Sequence, residues 1–250
     1  MMIASRQRGW LRMIAEFAAI LLVVAAAKTA IAEPYYVPSA SMEPTLLIGD
    51  ELLALKFSYG YGSASLPAPI SLPSTGRILA TLPERGDVVV FRWPRDRSQV
   101  WVKRVIGLPG DRIAMHFGQV VINGEPAALA PDGSGQAQTP QGDIQAARYI
   151  ETLPGGRQHP IYKLARVGAL DNLPEIVVPP GHLFVMGDNR DDSADSRVPL
   201  RDGGVGLLPA DNLVGRVNVV VGSLDLAVTK QPVWTWPSGL RLSRFFTAVR

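Results

Sequence analysis

Val100-Trp101-Val102-Lys103-Arg104-Val105-Ile106 is a β-branched and aromatic run that stops at the turn signal Gly107-Leu108-Pro109-Gly110-Asp111. It reads as a strand. Alternation along a strand sends Trp101, Lys103 and Val105 to one face. A lysine between apolar neighbours is a candidate for burial, and burial disfavours the ammonium and lowers its pKa by up to ~3–5 units. The same local sequence suits a surface lysine whose stem lies on apolar neighbours and whose head reaches water. Taken alone, the run favours that second reading.

On either side of this run, similar segments recur between turn signals: Glu51–Phe57, Asp87–Phe91, Arg112–Met115, Gln119–Ile122, Glu175–Val178, His182–Met186 and Asn212–Val221. Asn123-Gly124 is a hairpin dipeptide. Residues 57–85 and Pro131–Gln141 read as loops, and 112–180 reads as a polar, turn-rich insertion into a β core. The 250 residues fit one domain, or one domain with a large insertion. With 47% apolar and 19% charged residues the chain is too hydrophobic for disorder. Its 24 glycines and 21 prolines favour many short strands over long helices. Cysteine is absent, which excludes disulfides, thiolate metal sites and a cysteine nucleophile. Three histidines make a multi-histidine metal centre hard to build, and a net charge of +3 does not mark a nucleic-acid binder.

Trp10–Ala32 is the long apolar stretch. As one helix it spans roughly 35 Å, enough for a bilayer core of ~30 Å. Arg12 and Glu16 stand one turn apart and can pair. Arg6, Arg8 and Arg12 keep the N-terminus in the cytoplasm by the positive-inside rule. A cleavable secretory signal is the competing reading, with Ala30-Ile31-Ala32 as its small-x-small site, although Lys28 argues against cleavage. Both readings export the remainder. At the other end, Leu242, Phe245, Phe246 and Val249 share one helical face, with Arg241 and Arg244 on the other side and Trp234 and Trp236 before them. They suit either an interfacial helix on anionic lipid or a terminal helix docked on the protein.

Three clusters carry candidate chemistry. Pro38 to Leu46 is a rigid loop holding Ser39 and Ser41, and a nucleophilic serine there needs a base. The histidines are poor choices: His116 sits at a hairpin, His159 precedes Pro160 in a turn, and His182 follows Pro179-Pro180-Gly181. Twenty of the 25 basic residues are arginines, which do not act as neutral bases. His182 stays open as a base, and among the five lysines Lys103 is a candidate through its apolar neighbours on the strand. Gly187 to Arg197 holds four aspartates and two arginines. Its spacing fails the EF-hand pattern, and Asp–Arg pairs suit it better.

Together these segments resemble the bacterial type I signal peptidases, the Ser/Lys-dyad leader peptidases. The resemblance is carried by Pro38 to Asp50, Arg85-Gly86-Asp87-Val88-Val89-Val90-Phe91, Lys103 to Asp111, Gly187 to Arg197 and Asn212-Leu213-Val214-Gly215-Arg216. It implies that Ser41 is the nucleophile and Lys103 the general base. It implies further that Ser39 helps form an oxyanion hole with the Ser41 N–H, that Ser193 hydrogen-bonds Lys103, and that Asp195 and Arg197 form a supporting ion pair. Val37, Pro38, Met42, Leu46, Trp101 and Val102 would line small pockets accepting alanine at −1 and −3. The implied fold is mainly β, with an antiparallel catalytic core, an inserted β-rich cap, one N-terminal transmembrane helix and a short C-terminal amphipathic segment. The divisions are 1–32 for the cytoplasmic tip and anchor, 33–111 and 181–230 for the core, 112–180 for the cap, and 231–250 for a membrane-interface segment. Asp192, Leu207 and Trp101 depart from residues frequent in that family. The implied partners are exported preproteins, the lipid bilayer and the export machinery, without nucleic acid, metal or cofactor. The implied place is the bacterial inner membrane, crossed once, with the catalytic part outside. A self-cleaving Ser/Lys peptidase and a membrane-tethered binding module are the alternative readings.

Overall fold

The computed structural model describes residues 10, 12–21, 23, 24, 31–66, 76–139 and 142–249. Its strands in chain order are β1 (Ala32–Tyr36), β2 (Asp50–Leu55), β3 (Val88–Arg92), β4 (Val100–Gly107), β5 (Arg112–His116), β6 (Gln119–Ile122), β7 (Glu125–Pro126) and β8 (Ala128–Thr139). There follow β9 (Gly142–Thr152), β10 (Gln158–Lys163), β11 (Leu173–Val177), β12 (His182–Met186), β13 (Leu208–Pro209), β14 (Leu213–Ser223) and β15 (Thr247–Ala248). Every pairing between these strands is antiparallel. The protein is mainly β, as the turn content and the recurring apolar runs predict.

The main sheet runs β1-β2-β14-β3-β4-β12-β13, with β15 on β14. Strand β3 is buried at all five positions. Val88 and Val90 join Met42, Leu46, Leu52 and Val217 in one core, while Val89 and Phe91 join Val105, Leu183 and Val185 in another. This is period-two alternation with both faces covered. Each large apolar side chain so buried contributes roughly 1.5–3 kcal/mol. Strand β14 is long enough to pair β3 through Leu213–Arg216 and β2 through Arg216–Ser223.

Between β4 and β12 the chain leaves this sheet and builds two smaller ones, β11-β5-β6-β7 and β10-β9-β8. The two connections are tied at the neck, where Gly110 N–H donates to Val178 O and Val178 N–H to Asp111 O, each at 2.8 Å. Ile113, Met115, Val120 and Ile122 pack on Ile106, Phe184 and Met186 of the main sheet. Asn123 and Gly124 join β6 to β7 with positive φ at both positions, the geometry that matches strand twist in a two-residue hairpin.

Several expectations are corrected. Pro131–Thr139, read as a loop, lies within β8, because its backbone is laddered to β9 although its side chains are mostly exposed. His159 lies in β10 and is buried, not in a surface turn. The C-terminal segment is not an α-helix. It runs through short 3-10 turns at Leu226–Lys230, Val233–Gly239 and Leu242–Arg244 into β15. Arg244 bonds the Asp50 carboxylate, Arg241 bonds Ile48 O, and Val249 enters the core, so local tertiary contacts override helical spacing. Residues 67–75 of the expected 57–85 loop lie outside the described residues; around them stand 3-10 turns and a Tyr61–Ile78 bridge. In the N-terminal segment, residues 10, 12–21, 23 and 24 are helical, and Arg12 Nε donates to Glu16 at 3.1 Å as expected. Residues 11, 22 and 25–30 of the expected anchor lie outside the described residues. Among those described, no helix is long and apolar enough to cross a membrane.

Candidate active site

Ser41 lies in a 3-10 turn, Ala40–Met42, between β1 and β2. Met42 and Leu46 anchor the turn in the core, and Glu43 N–H closes it on Ala40 O at 2.9 Å. From the far side Asn189 donates its N–H to Ser41 O at 3.1 Å and its Nδ2 to Ala40 O at 3.3 Å. Lys103 comes from the middle of β4, with its Nζ 2.7 Å from Ser41 Oγ and 3.1 Å from Val102 O. The structure thus joins two residues 62 positions apart in the chain.

Lys103 is only 4% exposed. Burial pushes its pKa down to about 8, against the opposing pull of the Asp195 and Asp188 charges. No carboxylate pairs with it directly among the described residues, and its Nζ stands 5.7 Å from the centre of the Trp101 ring. Trp101 is stacked on Trp93 at 4.9 Å. Ser39 Oγ is 3.3 Å from Ser41 Oγ, on the open side of the loop.

Asp195 and Arg197 form the expected pair, through Nε to Oδ1 at 2.9 Å and Nη2 to Oδ2 at 2.8 Å. Burial alone would raise the Asp195 pKa. The Arg197 charge and the hydrogen bonds from Arg197 and Gly187 outweigh it and hold the carboxyl below its ordinary value. Ser193 differs from expectation: its hydroxyl is buried and makes no hydrogen bond in the structure, so a bond to Lys103 is not formed. Gly187 explains the tight fit there. A Cβ on it would stand 2.3 Å from Ser193 Oγ and 2.4 Å from Ser41 O.

A cleft of ≈ 640 Å³ opens over the pair. Pro38, Trp101 and Val102, three of the residues expected to contact substrate, line it. Val37, Met42 and Leu46 do not reach it; they are buried in the core beneath. Tyr35, Tyr36 and Val100 line the cleft without having been read as doing so. Tyr35 and Tyr36 end β1, a strand hidden by its place directly after the apolar segment, and Val100 opens β4.

A second buried layer lies behind the 187–197 loop. Arg104 grips Asp188 through Nε at 2.8 Å and Nη2 at 2.7 Å, and Thr45 Oγ1 donates to the same carboxylate at 2.5 Å. Arg190 grips Glu151 of β9 through both terminal nitrogens. His159 stands between the pairs, with Nε2 3.2 Å from Glu151 and 3.9 Å from Asp188. Burial and the Arg104 charge hold its pKa below the ordinary histidine value. Glu151 was not singled out from the sequence.

A family model described as signal peptidase, peptidase S26, matches residues 10–222. The chain belongs to that family. Signal peptidase I of Rickettsia typhi is 35% identical over 251 residues, covering 93% of this chain and 91% of that protein. Signal peptidase I of Rickettsia akari is 36% identical over 235 residues, covering 86% and 84%. A crystal structure of a signal peptidase I from Enterococcus faecalis V583 is 24% identical with a TM-score of 0.32, covering 54% of this chain and 97% of that one. In the family's terms the chain is a serine peptidase.

Proposed function

We propose that Ser41 and Lys103 perform the peptide-bond cleavage by which this member of the signal peptidase family removes N-terminal signal peptides from exported preproteins. The observation that carries the reading is a buried amine, with its pKa pushed down to about 8, standing 2.7 Å from a serine hydroxyl at the floor of an open cleft.

Neutral Lys103 takes the Ser41 proton as Oγ attacks the scissile carbonyl. Ser39 Oγ and the Ser41 N–H stabilise the oxyanion. Lys103 returns its proton to the leaving amine, then activates water against the acyl-enzyme. Asp195 and Arg197 fix the loop that closes over Lys103. The apolar cleft walls formed by Pro38, Trp101 and Val102 receive small side chains at −1 and −3.

Residues 33–111 with 181–230 act as the catalytic core and 112–180 as a cap. The N-terminal segment serves as a single membrane anchor with the catalytic part outside. Exposed Val233, Trp234, Leu242 and Phe246 rest at the lipid surface. Treatment of the full chain in detergent with a mechanism-based acylating inhibitor, followed by mass-spectrometric site mapping, tests the assignment. A label on Ser41 that is lost in Lys103→Met is expected; a label elsewhere, or none, overturns it. N-terminal sequencing of the mature protein tests the anchor, which a start at Glu33 would remove.

A further inference from the structure

We propose that Glu151, on β9 of the inserted segment, is a positioning residue: by clamping Arg190 it holds the 187–197 loop in register against the Ser41 turn. The proposal rests on the Ser41–Lys103 reading and extends it to a residue far from the reacting atoms.

The path is short. Glu151 has no exposed surface and Arg190 is 1% exposed. Both terminal nitrogens of Arg190 are bound by the two Glu151 oxygens, with Nη1 to Oε1 at 2.7 Å. A forked pair of this kind fixes direction as well as distance. The Arg190 main chain is held by the same part of the molecule, since its N–H donates to Tyr162 O at 3.0 Å. The neighbouring Asn189 supplies the N–H that holds Ser41 O and the amide that holds Ala40 O. The Arg190 carbonyl in turn accepts from Arg197 Nη2 at 2.7 Å, and that guanidinium also grips Asp195. One clamp therefore steadies the backbone of the nucleophile on one side and the Asp195–Arg197 pair near the base on the other.

Nothing else stands ready to replace Glu151. The charges of Asp188 and Asp195 also act on Arg190, but Asp188 is committed to Arg104 and Thr45 and Asp195 to Arg197. His159, the remaining neighbour, favours its neutral form through burial and the nearby Arg104 charge. Without the Glu151 charge, Arg190 is left as a buried cation with no carboxylate bonded to it, a costly state that the loop relieves by moving. Displacements near 1 Å at reacting groups cost rates heavily.

The test compares the full-length parent enzyme, Glu151→Gln, and the double variant Glu151→Leu/Arg190→Met, using preprotein cleavage kinetics and thermal unfolding in one detergent. For E151Q, kcat falls about tenfold or more while KM stays within about threefold, since the cleft walls are untouched. In the double variant, an apolar pair replaces the buried ions, so the unfolding temperature returns toward the parent's while kcat stays low. Parental kcat in E151Q overturns the proposal. So does parental kcat in the double variant, which decides the matter alone if E151Q does not fold. A parent preparation that cleaves no preprotein overturns the Ser41–Lys103 reading itself, and is thereby told apart from failure of the clamp.

Discussion

Lys56 and Lys103 are both buried, yet they meet different partners. Lys56 places its ammonium 2.7 Å from the Glu33 carboxylate and 2.7 Å from Ser65 O. Lys103 meets a hydroxyl at 2.7 Å and a carbonyl at 3.1 Å, with its carboxylates held off behind Arg197 and Arg104. Burial by itself does not make a lysine a base. What Lys103 has, and Lys56 lacks, is burial without an adjoining negative charge, so that desolvation is left to act on the ammonium. Arginines supply the difference: they neutralise Asp188 and Asp195 before these can neutralise Lys103.

The contrast is open to direct attack. Lys103→Met and Ser41→Ala each lower kcat by ~10⁴-fold or more in a preprotein cleavage assay, whereas Lys56→Met, measured on its folded fraction, keeps kcat near the parent's. Equal losses in the two lysine variants would erase the distinction. Ser39→Ala lowers kcat by ~10²–10³-fold, the usual effect of removing one oxyanion donor; an unchanged kcat would assign Ser39 to the loop alone.

Stability should move in opposite directions at the two lysines. The folded-state pKa of Lys103 lies below its unfolded value, so the unfolded chain binds the extra proton. Its stability penalty is full below about pH 8 and is relieved as pH rises toward the ordinary lysine value. Lys103→Met therefore stabilises the protein at pH 7, by about 2–3 kcal/mol, and the gain shrinks by pH 10. Glu33→Gln strands the Lys56 ammonium and costs about 3 kcal/mol. Denaturant titrations at the two pH values read both effects. The smallest effect is a shape: kcat/KM climbs with an acid-limb midpoint near 8, and Glu33→Gln leaves that midpoint in place.

Which parts of the molecule the sequence discloses follows the same physics. Strands β3 and β4 are readable because burial selects their side chains: Val88 to Phe91 are all core residues. Strand β8 is unreadable because its pairing to β9 is made by backbone, and Pro131-Asp132-Gly133-Ser134-Gly135 has the composition of a turn. Ser41 and Lys103 emerge from the resemblance, whereas local spacing alone favoured a surface lysine. Glu151 is a lone acid in a polar segment. The clue to it is hairpin arithmetic, since a turn at Pro154–Gly156 sets His159 directly across from Glu151. That clue was masked by reading Pro160 as a turn former rather than as a residue of the edge strand β10. The C-terminal helical spacing misled for a related reason: Arg241 and Arg244 find fixed partners near Asp50, which a helix would have turned away.

The stacked indoles of Trp93 and Trp101 have a use outside catalysis. One ring lines the cleft and lies near the Lys103 amine, while its partner is shielded beneath Gly204, to whose carbonyl it donates at 2.9 Å. The remaining tryptophans described, Trp10, Trp234 and Trp236, stand at the surface. The protein thus carries its own chromophore beside its proton acceptor, so that ultraviolet emission can follow both the charging of that amine and the arrival of a peptide without any added dye.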